Sequence, residues 1–173
     1  GGGDGGVVQH FTGSLAVIGH ELAHGVVQHT ADLEYQGQPG ALNESIADVF
    51  GALTEQYALG QTADQATWLI GAEIFTDAFE GAALRSMIAP GTAYDDDELG
   101  KDPQPDHMSG FVRTTEDNGG VHINSGIPNR AFALFAIDLG GKAWERAGTV
   151  WYRALTGGLS STATFTQFAD ATV

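Results

Sequence analysis

Apolar positions recur every three to four residues over several stretches of the chain, most regularly near its start. Leu15, Ile18, Leu22 and Val26 keep that period behind Ser14, a residue type that caps helix N-termini, so the pattern predicts an amphipathic helix over 15 to about 29. Pro39-Gly40 punctuates the chain, and Ile46, Val49, Phe50, Leu53 and Tyr57 predict a second helix from about 41 to 59. In the last third, Asn124 or Ser125 stands where it can cap a helix through about 139. Ile127, Ala131, Leu134, Phe135 and Ile137 would mostly face inward there, with Gly140-Gly141 as the stop. Another helix is expected over about 142 to 156 around Trp144, Ala147, Val150, Trp151 and Leu155, and a final one from near Phe165, capped within 162–166.

The middle of the chain lacks this period. Residues 66–75, with Trp68, Ile70 and Ile74, fit a short helix or irregular backbone, and 76–115 form a long, mostly irregular excursion broken by Pro90, Pro103 and Pro105. Asp95-Asp96-Asp97-Glu98 within it reads as a solvated loop, because it lacks the alternating ligands and the glycine of an EF-hand. The expected fold is therefore mainly α, about five helices with little strand. Residues 14–173 make up a helical lobe, and 1–13 a glycine-rich turn (Gly1 to Gly6) with a short extended segment at Val7, Val8 and Phe11.

Length and charge narrow the picture. With 173 residues the chain is long enough for one buried core. Its 22 acidic against 7 basic side chains give a net charge of −15, which argues against nucleic acid and anionic membranes as partners. There is no cysteine, so no disulfide contributes, and no run nears the roughly 18 apolar residues of a membrane span.

The chemistry lies on the first two helices. His20-Glu21-Leu22-Ala23-His24 places two imidazoles at i and i+4, on one helical face, where they can converge on a zinc ion while Glu21 points beside the metal as a base. Catalytic zinc needs a third protein ligand and an open position. Glu44, 20 positions after His24, can supply that ligand, and Asp48, one turn later, can accept the free ring N–H of a ligand histidine; Asn43, beside Glu44, is placed in the same supporting layer. A metzincin pattern would want glycine and histidine where Val27 and Thr30 stand, with His29 one residue out of register.

Taken together, Gly19-His-Glu-Leu-Ala-His24, Gly40-Ala-Leu-Asn-Glu-Ser-Ile-Ala-Asp48, Leu84-Arg-Ser-Met87 and Asp117-Asn-Gly-Gly-Val-His-Ile-Asn-Ser-Gly126 resemble the thermolysin-like zinc endopeptidases in content and order. Asp102-Pro-Gln-Pro-Asp-His-Met108 is similar to the smaller, protealysin-type members. The resemblance implies one catalytic Zn2+ on His20, His24 and Glu44, Glu21 as general base toward a zinc-activated water, and His122, oriented by Asp117, with Tyr35 as oxyanion donors. It implies that Arg85 binds the substrate carbonyl just beyond the scissile bond, and that Val17, Leu84 and Phe11 wall the pocket after it, so cleavage is expected before bulky hydrophobic residues of a protein or peptide substrate.

The resemblance also carries expectations about what surrounds the lobe. Members have an upstream β-rich lobe that forms half of the cleft, without which this lobe would be weakly active or a mere binding module; a pro-region is also expected in the precursor. Calcium-binding members place carboxylates at positions held here by Ala16, Thr67, Leu69 and Ala72, leaving Glu55, so the paired calcium site is expected to be absent. Secretion is implied, with a cytoplasmic location open to protealysin-type members. A zinc aminopeptidase shares the metal motif, but the chain has no Gly-x-Met-Glu-Asn segment to bind an amine.

Overall fold

Ser14 caps the first helix: its Oγ accepts from the Val17 N–H at 3.4 Å, and α1 runs Leu15–Gln28. The computed structural model describes residues 11–76, 80–97 and 99–173. The glycine-rich turn and extended segment expected over 1–10 lie outside the described residues, and 11–13 form a 3-10 turn. After α1 come α2 (Gly37–Leu59), β1 (Leu69–Ile70), β2 (Arg85–Ser86), β3 (Asp95–Asp96), β4 (Gly100–Lys101), α3 (Asp117–Asn124), α4 (Gly126–Leu139), α5 (Ala147–Thr156) and α6 (Phe165–Ala171).

α2 begins one turn before the expected 41, because Pro39 falls in the first turn, where a backbone N–H has no helical partner to lose. Gly60, left-handed at φ 66°, ends it. The helix is buried on most sides; Leu42, Ile46 and Val49 are each no more than 1% exposed. α1 lies against it so closely that a Cβ on Gly51 would sit 2.3 Å from the Ala16 carbonyl oxygen. Only small residues permit such backbone contact, and it selects which face of α1 turns inward. Ala16, Val17, His20, Ala23 and Val27 are buried, whereas Leu15, Ile18, Leu22 and Val26, whose period predicted the helix, are 38 to 71% exposed. The helix was legible, but its apolar stripe faces away from the lobe.

The remaining helices close the core on the other side of α2. Trp151 of α5 stands 4.9 Å, 5.6 Å and 5.6 Å, centroid to centroid, from Phe132, Phe135 and Phe168, joining α4, α5 and α6. Burying each such ring contributes roughly 1.5–3 kcal/mol. The inward face of α4 is displaced from the expected one: Pro128, Asn129, Phe132, Ala133 and Ala136 are buried, and Leu134 is exposed. α5 starts later than 142, since turns bonded from Glu145 N to Lys142 O and from Gly148 N to Ala143 O take up the preceding residues. Thr164 caps α6 and forms a capping box with Gln167.

The excursion between α2 and α3 is held by short strands and by carboxylates. β1 pairs antiparallel with β2 (Ile70 opposite Arg85), and β3 with β4 (Asp96 opposite Gly100). Asp96 corrects the solvated-loop expectation for the acidic run: it is buried and accepts from the Glu80 and Leu99 N–H groups at 3.0 and 3.1 Å. Glu98 lies outside the described residues. Asp102, also buried, accepts from the Gly91, Ala93 and Gln104 N–H groups at 2.9 to 3.1 Å. Charge-assisted bonds of this kind satisfy irregular backbone that has no ladder to join. Asp117, Asn118, Gly119 and Gly120 then take four successive positive φ values, 49°, 48°, 82° and 76°, a left-handed run tolerated by these residue types. The chain leaves it helical at Val121 and passes through Ser125 into α4 without the side-chain cap that was expected there.

Candidate active site

The contact of α1 with α2 brings His20, His24 and Glu44 together from two helices. The two Nε2 atoms are 3.1 Å apart, and the Glu44 carboxylate lies 3.4 Å from His20 Nε2 and 3.5 Å from His24 Nε2. Each imidazole is fixed from behind. His20 Nδ1 meets Asp48 Oδ1 at 2.8 Å, and His24 Nδ1 meets the Asn43 amide oxygen at 2.8 Å. Both partners are acceptors, so both rings donate through Nδ1–H and turn bare Nε2 lone pairs toward each other. Asn43 is held in that sense by its own Nδ2–H, which donates to the Leu33 carbonyl at 3.4 Å.

Two acceptor nitrogens facing one another, beside a buried Glu44 Oε2 that has no hydrogen-bond partner, make an electron-rich set that a cation would satisfy. Ligand atoms of a tetrahedral ion with bonds of about 2.05 Å lie about 3.3 Å apart, and the observed separations bracket that value. The donor set of two imidazoles and a carboxylate fits zinc. Among the described residues, these three form the group whose ligand atoms converge.

Behind His20 and Glu44 sits an ion pair in which Asp48 is fully buried and the Arg85 side chain is 13% exposed. Arg85 donates from Nε and Nη2 to the two Asp48 oxygens, both at 2.7 Å, and Asn129 Nδ2 donates to Asp48 Oδ2 at 2.9 Å. Burial alone would push the Asp48 carboxyl up, but the Arg85 guanidinium and the His20 bond hold it well below the usual carboxylate range. Arg85, for which burial works the other way, is kept charged by Asp48.

The open side of His20, His24 and Glu44 is a cleft of about 770 Å³ that is also lined by Glu21, Tyr35 and His122. His122 emerges from the left-handed run with its Nδ1 at 2.6 Å from Asp117 Oδ1 and its own N–H donating to Asp117 Oδ2 at 2.8 Å. Its Nε2 points inward, 3.3 Å from the Tyr35 hydroxyl and 3.5 Å from Glu44 Oε2. Tyr35 donates its hydroxyl proton to Glu44 Oε1, and burial followed by that bond raises its pKa, so it remains a phenol. Val17 and Leu84 come together around Gly71, where an added Cβ would lie 3.3 Å from Val17 Cγ2 and 3.5 Å from Leu84 Cβ.

Residues 31–173 match the thermolysin metallopeptidase alpha-helical domain. The chain belongs to the thermolysin metallopeptidase family. It is 57% identical over its whole length to an extracellular metalloprotease of Pectobacterium carotovorum subsp. carotovorum, of which it covers 50%, and 41% identical to thermolysin of Alicyclobacillus acidocaldarius subsp. acidocaldarius, of which it covers 31%. The solved precursor of protealysin, a metalloproteinase from Serratia proteamaculans, superposes with a TM-score of 0.98 at 56% identity, over 99% of this chain and 54% of that one. The chain thus spans about half the length of these similar proteins or less, as the C-terminal helical domain of a thermolysin-like architecture.

Within this thermolysin-family lobe, the structure adds residues that sequence reasoning passed over. Asn129 looked like one polar position in an apolar helix, yet it is buried against Asp48; a polar residue next to the inward positions Pro128 and Phe132 was the available signal. Glu73, on the 3-10 turn Ala72–Ile74, also went unnoticed: it meets Glu55 of α2. Burial, and then the neighbouring Glu73 carboxylate with its hydrogen bond, pushes Glu55 up to about 7.

Proposed function

We propose that this chain is the helical catalytic lobe of a secreted, zinc-dependent endopeptidase that cuts peptide bonds on the N-terminal side of bulky hydrophobic residues. The observation that carries the reading is the pair of bare Nε2 atoms facing each other beside the unpartnered Glu44 oxygen, each ring locked in that tautomer by Asn43 or Asp48. His20, His24 and Glu44 would hold the ion. Zinc bound there supplies Lewis acidity, which brings the pKa of water to about 7 and polarises a carbonyl.

Glu21, one residue from His20 and lining the same cleft, takes the proton of the attacking water and passes it to the leaving amine. His122 stabilises the developing oxyanion: Asp117 on Nδ1 orients the ring and balances an imidazolium whose Nε2–H points into the cleft. Tyr35 joins it when its hydroxyl turns from Glu44 to the substrate. Arg85 spends two of its five donors on Asp48, and the rest serve the carbonyl beyond the scissile bond. Val17 and Leu84, converging on Gly71, offer an apolar pocket wall to the following side chain.

The other wall of the cleft belongs to the upstream part of the polypeptide, a β-rich lobe that also covers the exposed stripe Leu15, Ile18, Leu22 and Val26. Secretion follows the extracellular relatives. The test uses two variants of the protein that carries this chain. Glu21→Gln should keep one zinc per molecule and lose turnover, whereas His24→Ala should lose the zinc. Stoichiometric zinc in His24→Ala, or full activity in Glu21→Gln, would overturn the assignment.

A further inference from the structure

His122 is anchored from two sides, and the second anchor comes from the irregular excursion. Gln104 is buried, and its one amide nitrogen donates twice, to the His122 carbonyl at 2.7 Å and to Ser125 Oγ at 3.0 Å. Ser125, fully buried, donates in turn to the same His122 carbonyl at 2.9 Å. The three groups close a ring of hydrogen bonds behind the catalytic candidate. Asp117 grips the front of His122, at the ring and the N–H; Gln104 and Ser125 grip its carbonyl.

Gln104 is itself held in place. Asp102 accepts its N–H at 3.0 Å and ties the segment to Gly91 and Ala93, and the first residue of α4 closes over it, since a Cβ on Gly126 would lie 2.8 Å from Pro105 O and 2.9 Å from Gln104 Cβ. The Gln104 amide oxygen is buried without a partner. Leaving such a group unpaired is costly, and this side chain carries that cost while both N–H groups face His122 and Ser125.

We propose that Gln104 is a positioning residue for the reaction: it fixes the main chain at His122, and thereby the point in the cleft at which the His122 imidazole meets the substrate oxyanion. The inference rests on the reading of His122 as oxyanion donor. Displacement of a catalytic group by about 1 Å can cost up to a hundredfold in rate, so the back anchor matters even though it touches neither ligand nor substrate.

The test is a double-mutant cycle in the zinc-loaded, full-length protein, read with an N-terminally blocked peptide that carries Leu after the scissile bond. Gln104→Met keeps the side chain's length and removes both donors. It should lower kcat by at least about tenfold with KM and zinc content unchanged. In a His122→Ala background the same substitution should lower kcat less than about twofold, because there is no imidazole left to misplace. Gln104→Glu, isosteric and lacking the donating amide, should behave alike and replaces Gln104→Met if that variant does not fold. Equal losses in both backgrounds would reduce Gln104 to a stability residue, and no loss in the first would remove its role altogether; either overturns the proposal. His122→Ala alone tests the underlying reading: unchanged kcat there removes the oxyanion role of His122, a result distinct from any given by Gln104→Met.

Discussion

The two faces of α1 have opposite compositions and opposite surroundings. Its inner face, Ala16, Val17, His20, Ala23 and Val27, is smaller and partly polar and is buried to 8% exposure or less; its outer face is large and apolar, with Leu22 at 71% exposure. Hydrophobicity alone would assign these faces the other way round. The inner face is small because the α2 backbone lies against it at Gly51, and that short distance is what sets two imidazoles of α1 within reach of a carboxylate of α2. The outer face is the one that the proposed upstream lobe would cover, in a family whose members run to about twice this length or more.

The comparison breaks most sharply at its inner face. Gly51→Val should destabilise the lobe by about 3 kcal/mol or more and abolish stoichiometric zinc binding, because its Cβ must occupy the space 2.3 Å from the Ala16 carbonyl. Urea unfolding and zinc content check both parts. On the outer face the expected effect depends on what surrounds it. Leu22→Lys should change the stability of this chain alone by less than about 0.5 kcal/mol and that of the full-length protein by about 2 kcal/mol, if the stripe is buried there. Equal shifts in the two would remove the upstream lobe from that face.

Why the sequence pointed to the converging His20, His24 and Glu44 but not to this asymmetry is a matter of range. His20, His24, Glu44 and Asp48 follow from helical spacing within single elements, and Ser14 and Gly60 from local capping rules. Which face of α1 is inward depends on a contact with α2 some 30 residues on, where the deciding residue is a glycine without periodicity of its own. The same holds for α4, whose inward face is set by Asn129 reaching Asp48, and for Gln104, whose role exists only once the excursion folds back on Ser125. In the excursion the order comes from buried carboxylates bonded to backbone N–H groups, an interaction that composition presents as surface charge.

The smallest expected effect lies toward the C-terminal end of α2, at Glu55. Glu55, raised from 4.5 to about 7, binds a proton in the folded protein over a pH range where the unfolded chain has released it. Its contribution to stability is therefore complete below about pH 4.5 and is lost as pH rises through 7. Glu55→Gln should stabilise the protein by about 1 kcal/mol at pH 8, after discounting for partial solvent exposure, and leave it nearly unchanged at pH 4.5. Thermal unfolding at the two pH values checks the sign. In line with a proposed lack of the paired calcium site, millimolar calcium should move the melting temperature by no more than that substitution does.

The proposed division of α1 into a metal-building face and a face covered by the rest of the polypeptide is tested most directly by hydrolysis per bound zinc, measured on this chain alone and on the full-length protein with the same blocked peptide. We predict one zinc per molecule in both, held by His20, His24 and Glu44, and far slower hydrolysis per zinc in the chain alone, because peptide held by one wall lacks the alignment worth roughly 7–11 kcal/mol in well-oriented reactions. Equal hydrolysis per zinc in the two would contradict the account.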